Sequence, residues 1–334
     1  MTQGRIAVLS GLAAEAYERH GLHGEHRIWV EKNCYVDVWI ELLHCLKLEP
    51  LALMPFTLAS DFEGDHWTFF KPPLSDLQAL YGINVQELNV WRPLLDHAIE
   101  HLSAGKLIST EADAFWLPDT AGTDYRQQHV KTTIVLNELD VKNQRLGYFH
   151  NAGYYALEGE DFRRLFNVDG STRSDSLPLY AELIRLDRVV HRPAAELAQC
   201  ALRLLREQLA YRPLDNPVTR FADRFAADLP GLQEKGLTHY HTWAFTTLRQ
   251  LGAAFELAGA HLNWLERLTS RGLADSASQF EQIAQDCKGL ILKVARVVNG
   301  KRAFDPHDAL ASTAQAWAAG MSQLDQALGS AASA

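Results

Sequence analysis

The sequence predicts an α+β chain in two parts, residues 1–170 mixed and residues 171–334 all helical. Three observations carry that reading. β-branched and aromatic runs separated by turn residues cluster at 107–157. From about 177 to 328 nearly every segment places apolar residues at i, i+3, i+4 and i+7, the spacing of an amphipathic helix. Between the two, "NVDGSTRSDS" (167–176) is polar and rich in Gly and Ser, the composition of a linker.

Taken in order, residues 33–47 predict a helix that opens on "NC" and continues as an apolar run. Residues 49–73 carry paired prolines and an aromatic cluster, and read as a loop packed over something. "PLSDLQALYGI" predicts a short helix capped by Ser75, and "NVWRPLLDHAIEHLSAGK" a second one stopped by Gly105. "LISTEADAFWL" (107–117) is strand-like. "HVKTTIVLNELD" (129–140) and "QRLGYFHNAGYYAL" (144–157) form an antiparallel hairpin about "VKN", and "EGEDFRRLF" closes the region as a helix. The second part reads as a helical bundle whose segments differ too much for a solenoid, ending in a frayed tail at 329–334.

Composition narrows the function. A net charge of −9 argues against general nucleic-acid binding, because phosphate contact needs a surplus of Lys and Arg. No apolar stretch approaches the length of a membrane span, and the N-terminus is a poor secretory signal, so a cytoplasmic protein with no membrane role is expected. Four cysteines without a CxxC pair make neither a disulfide framework nor a zinc knuckle.

Position then separates the thiols. A helix N-terminus offers unpaired amides and partial positive charge, which favour a thiolate and can hold an oxyanion. Cys34 stands at such a terminus after Asn33, whereas Cys45, three turns deeper among leucines, reads as core. A cysteine nucleophile needs a base, and the base needs an orienting partner. His129 opens one strand of the predicted hairpin and Asn151 ends the other, so the two are expected at the same end of the ladder. Taken singly, each has a plainer reading: a helix-start thiol that is structural, a strand-end histidine, a turn asparagine.

The order of these features resembles papain-like cysteine enzymes of the bacteriocin-processing peptidase type. More closely, it resembles the N-terminal domain of the butirosin-biosynthesis carrier-protein acyltransferase. That family has a Cys heading its first helix, a Val/Ile-then-D-x-Y-L-P segment, a His opening a strand and a strand ending in Asp-Pro. Here these stand as "NCYVDVWIELLHCLKL", "LISTEADAFWLPD", "HVKTTIVLNELD" and "YFHNA". The chain as a whole also looks like a bacterial family of unknown function. Asn151-Ala152 replaces Asp-Pro, which leaves Asp140, Asp124 or His150 as other possible contributors.

The resemblance implies a papain-like domain followed by an all-α bundle, with the active site in the groove that both line. It implies acyl transfer. Cys34 takes an aminoacyl group from the phosphopantetheine thioester of an acyl or peptidyl carrier protein and passes it to a small amine. His129 is the base, Asn151 the orienter, and the amide of Cys34 with Asn33 the oxyanion site. No bound metal or cofactor is implied.

Trp67, with Phe69 and Phe70, would wall an acyl pocket unless it is core, and Asp124 and Tyr125 would face the substrate. Arg249 and Glu256 would bind a polar acceptor, or else form an intrahelical stripe with Gly252. Lys288, Lys293 and Arg296, on the one long basic stretch, would meet an acidic carrier protein or simply be a solvated face. "DFEGDHW" fits no calcium loop, and "THYHTW" with His261 is a poor metal set because His239 and His241 alternate as on a strand. Two alternatives use the same residues: a cysteine peptidase or amidase, and an inactive scaffold that holds a carrier protein.

Overall fold

A computed structural model describes residues 4–170 and 179–329. Most of the predicted linker and the tail beyond Gly329 lie outside the described residues. The chain is mixed α/β and forms two compact units that interleave in sequence: Met1–Gly24, Asn33–Leu48 and Leu77–His191 in one, Glu25–Lys32, Glu49–Asp76 and Arg192–Ala334 in the other. The division expected at 170 therefore falls at 191/192, and the helical unit also takes two earlier stretches of chain. The architecture is an antiparallel sheet followed by a helical region.

The first unit is built on one antiparallel sheet. Its strands are β1 (Ile6–Ala7), β2 (Asn84–Glu87), β3 (Leu107–Asp113), β4 (Lys131–Asp140), β5 (Arg145–His150), β6 (Gly153–Glu158) and β7 (Ala181–Arg185), in the order β2-β7-β3-β4-β5-β6. β1 pairs with β4 at Leu139 and Glu138, on the edge where β3 has ended. β7 corrects the expectation of helix from 177: five residues, "AELIR", carry too little periodicity to separate a strand from a helical turn. "QRLGYFHNAGYYAL" is two strands rather than one, because the chain reverses at Asn151, which sits at φ 43°.

Alternation assigns the two sheet faces. Ile134, Leu136, Leu146 and Tyr148 join Ala98 and Leu102 of α3 (Leu94–Ser103) and Phe162 of α4 (Glu160–Leu165) in one apolar cluster. The helix α1 (Cys34–Cys45) packs against β4, β5 and β6, and its contact with Thr133 places it on the opposite face. The helix α2 (Leu74–Tyr81) starts one residue before Ser75, so Ser75 lies inside it and is not its cap. Gly105 ends α3 as expected, at φ 71°.

The second unit is helical: α5 (Ala194–Leu209), α6 (Pro217–Lys235), α7 (Leu237–Thr246), α8 (Leu248–Thr269), α9 (Ala274–Gly300) and α10 (Pro306–Gly329). α8 is buried nearly all round from Leu248 to Leu265, as a central helix must be. The aromatic loop expected at 49–73 is in part a 3-10 segment, Pro50–Ala59, packed on α8 and α5; Pro50 and Pro55 lack the amides that a longer α-helix needs. "THYHTW" is helical, with His239 and His241 exposed on α7, which corrects the strand reading.

Candidate active site

Cys34 is the first residue of α1. Asn33 caps it in extended conformation (φ −147°, ψ 153°): its Oδ1 accepts the Val36 amide at 2.9 Å and its carbonyl accepts the Asp37 amide at 3.0 Å. The cap thus occupies the amides of Val36 and Asp37, and no described residue accepts the amide of Cys34. The thiol is half-buried, its Sγ 3.9 Å from Thr133 Oγ1 on β4. Cys45 differs: burial pushes its thiol up, and the Tyr17 hydroxyl lies 3.5 Å from the sulfur. Cys287 is buried and pushed well up for the same reason, and Cys200 is half-buried on α5.

From Thr133 the same face of β4 continues to Lys131, the first residue of the strand, and His129 stands two residues before it rather than opening it. Register places Thr133 opposite Glu111 and Lys131 opposite Asp113. His129 Nδ1 lies 2.6 Å from Asp113 Oδ2, and its ring stacks on Phe115 with centroids 4.4 Å apart. The other Asp113 oxygen accepts the Phe115 amide at 3.1 Å, so the carboxylate is pinned from both sides. With a proton held on Nδ1, Nε2 presents a lone pair, the tautomer a general base requires. His129 is 69% exposed at its side chain, so that lone pair is open to solvent.

Asp113 therefore replaces Asn151 as the partner of His129. The hairpin pairs Asp140 with Arg145, a bulge between Leu136 and Glu138 shifts the register, and His150 comes opposite Ile134. Asn151 is thus level with Thr133, and His129 projects beyond the end of β5. The signal was present in the sequence: Asp113 is the acid of "ADAFWLP", at the end of the strand that pairs with the start of β4. No hydrogen bond among the described residues joins Cys34 to His129. Thr133 and His129 stand four positions apart in the chain, about 13 Å when extended.

The other acids and histidines considered have partners elsewhere. His150 is buried on the far face, Nδ1 2.6 Å from Asp119 and Nε2 2.8 Å from Thr132 Oγ1, with the Tyr148 hydroxyl donating to the same aspartate. That chain has the order of a hydroxyl–imidazole–carboxylate site, but His150 is only 1% exposed, and it braces the core. Asp140 caps the β4–β5 turn at Asn143, Asp124 accepts from Gln128 at 2.6 Å, and the Tyr125 hydroxyl donates to Asp161 at 2.9 Å. Sequence reading missed a further cluster on α1. Asp37 and Glu41, one turn apart, both face the buried His23, with Nε2 3.0 Å from Asp37 and Nδ1 against Glu41. Both ring nitrogens lie against carboxylates, which ties α1 to the segment before it.

A family model described as the DUF1839 N-terminal domain matches residues 18–186, and one described as the DUF1839 C-terminal domain matches residues 194–326. The chain belongs to the DUF1839 family. No curated protein matches it. The N-terminal DUF1839 match contains Cys34, Asp113 and His129 and ends after β7, in agreement with the boundary at 191/192.

In the second unit of this DUF1839 protein, Trp67, Arg249, Glu256, Lys288 and Lys293 have structural partners. Trp67 is buried against Phe62 and Phe221 rather than lining an acyl pocket. Arg249, Gly252 and Glu256 hold the segment Glu25–Lys32 against α8. Arg249 donates to the Glu31 carbonyl at 2.9 Å, and the carboxylate of Glu256 accepts the amides of Ile28 and Trp29 at 3.0 and 3.1 Å. Arg27 Nε adds an ion pair to Glu256 at 3.0 Å, off the line of a hydrogen bond. Lys288 lies over the Trp29 ring and Lys293 over Phe304. At roughly 100° per residue, Arg296 is about 80° and Lys293 about 140° around α9 from Lys288, so the three exposed side chains share one broad side of the helix.

Proposed function

We propose that the protein moves an acyl group through a thioester on Cys34, with His129 as base and Asp113 as the group that orients it. The observation that carries the reading is the sulfur at the first position of a capped helix, beside an amide that no described residue uses. The helix terminus sets partial positive charge beside the sulfur, and the amide of Cys34 can donate to the oxyanion formed when sulfur adds to a carbonyl. His129 takes the thiol proton at Nε2 and gives it to the departing phosphopantetheine sulfur as the Cys34 thioester forms; it then takes a proton from the attacking amine and returns it to Cys34 as the amide forms and the thioester breaks. The resemblance supplies the substrates: an acylated phosphopantetheine arm of a carrier protein as donor, a small amine as acceptor. The contact of Sγ with Nε2 is left for the substrate complex to complete, as catalytic hydrogen bonds commonly tighten only there.

The test is covalent. Incubation with a labelled acyl thioester should add one acyl mass to the protein, and Cys34→Ala should abolish the adduct while Cys45→Ala keeps it. Iodoacetamide should label Cys34 ahead of Cys45 and Cys287, whose thiols burial pushes up. A Cys34 that forms no adduct and alkylates no faster than those two would remove the reading. Adduct lost to water at the same rate with and without amines would favour the hydrolase.

A further inference from the structure

We propose that the first unit carries a second ligand site, for an aliphatic organic anion, at the end of α1 away from Cys34. A cavity of about 670 Å³ opens there, within the range of small-molecule sites. Its walls are apolar: Val8, Leu9, Leu46, Leu186 and Val189 line it, each only half-buried. A body of hydrocarbon laid among them would finish burying these side chains.

The charge at this cavity is positive. Lys106 lines it half-buried and makes no ion pair with any described residue. Nor is its ammonium needed to finish the end of α3. The carbonyls of Glu100, Leu102 and His101 are taken by the amides of Ala104, Gly105 and Lys106 at 3.1, 3.0 and 2.9 Å. His191 is anchored at the same cavity, its Nε2 donating to the Leu46 carbonyl at 2.9 Å. Arg185 lines it as well; Asp187, the one acid of the lining, pairs with that guanidinium at 3.2 Å, while Arg185 Nε is buried without a hydrogen bond. An unpaired ammonium beside half-covered hydrocarbon is the environment that binds a carboxylate or phosphate on an aliphatic body. α1 is 12 residues long, about 18 Å, so this site is separate from the thiol at its head.

Calorimetric titration of the full chain carrying Cys34→Ala tests the site apart from any chemistry at sulfur. Octanoate and octyl phosphate should bind saturably, octanol and inorganic phosphate at least tenfold more weakly. Lys106→Met should weaken octanoate at least tenfold. Ala104→Trp, an exposed lining position at the end of α3, should occlude the cavity and do the same with the thermal melt unchanged. A stronger response to octyl phosphate than to octanoate would assign the anion as a phosphate ester, and the reverse as a carboxylate. The proposal is overturned if octanol binds as well as octanoate, if neither anion saturates, or if both variants bind octanoate within twofold of the parent.

Discussion

Asp113 divides its two oxygens between the backbone at Phe115 and the imidazole of His129, and that division is what makes it an orienting group. An amide at this position can still accept from Phe115, but its NH2 competes for the imidazole and selects the wrong tautomer. Asp113→Asn should therefore slow formation of the Cys34 acyl adduct by on the order of a hundredfold or more, read by intact mass against time. Asn151→Ala should leave that rate within about twofold. The opposite ranking would return the orienting role to Asn151.

His261 makes a second residue-scale case. Burial lowers its pKa to about 4, although Nδ1 donates to the Leu51 carbonyl at 2.7 Å. The unfolded chain binds the proton near 6.5, so between these values falling pH favours the unfolded state. The contribution is complete above about pH 6.5 and drains away toward pH 4, with a ceiling of about 3 kcal/mol. Urea midpoints at pH 7 and pH 4.5 should fall further apart for the parent than for His261→Gln. Equal losses in the two proteins would show that this imidazole is not responsible.

At the scale of elements, the helix α8 shows how a pattern is used. Arg249, Gly252 and Glu256 stand at i, i+3 and i+7, the spacing that suggested a stripe, and what they meet is an extended segment of chain. Gly252 is the close approach: a Cβ there would lie 2.8 Å from Trp29 Nε1 and 2.9 Å from Cys287 Cβ. Gly252→Ala should cost about 1–3 kcal/mol through overpacking, despite the better helix propensity of alanine. Chemical denaturation reads this directly; an unchanged or raised midpoint would mean that Trp29 is not held against the helix. Helical spacing continues through 242–268, yet the chain breaks at Thr247 (φ −119°, ψ −83°) between α7 and α8, and Thr247 Oγ1 donates to the Trp243 carbonyl at 2.7 Å. Nothing in the apolar spacing of that run announces the break.

At the scale of the molecule, the two units do not follow the order of the chain. The helical unit takes the 3-10 segment Pro50–Ala59 onto α8 and α5, and Phe62 and Trp67 onto Phe221. Leu53, Met54, Phe56, Leu58, Phe62 and Trp67 are all buried. At about 2 kcal/mol each, their loss removes on the order of 10 kcal/mol, comparable with the whole stability of a domain. A protein beginning at Arg192 should accordingly keep helical circular dichroism but bind ANS and melt without a sharp transition. A cooperative melt matching that of the full chain would show that residues 49–76 are dispensable. Among the described residues no helix is long and apolar enough to cross a membrane.

The sequence by itself determined the cysteine at the head of α1, its asparagine cap, the stop at Gly105 and the helical character of the second half. Each of these depends on neighbours within a turn or two, where hydrogen-bonding rules act on a few consecutive residues. Only the tertiary structure decided that Asp113 rather than Asn151 meets His129, that "GYFHNAGYY" is two strands, and that residues 49–76 belong with helices more than a hundred positions away. Those outcomes rest on a bulge, a left-handed turn and long-range burial. Their energies come from residues far apart in the chain, so no local pattern records them.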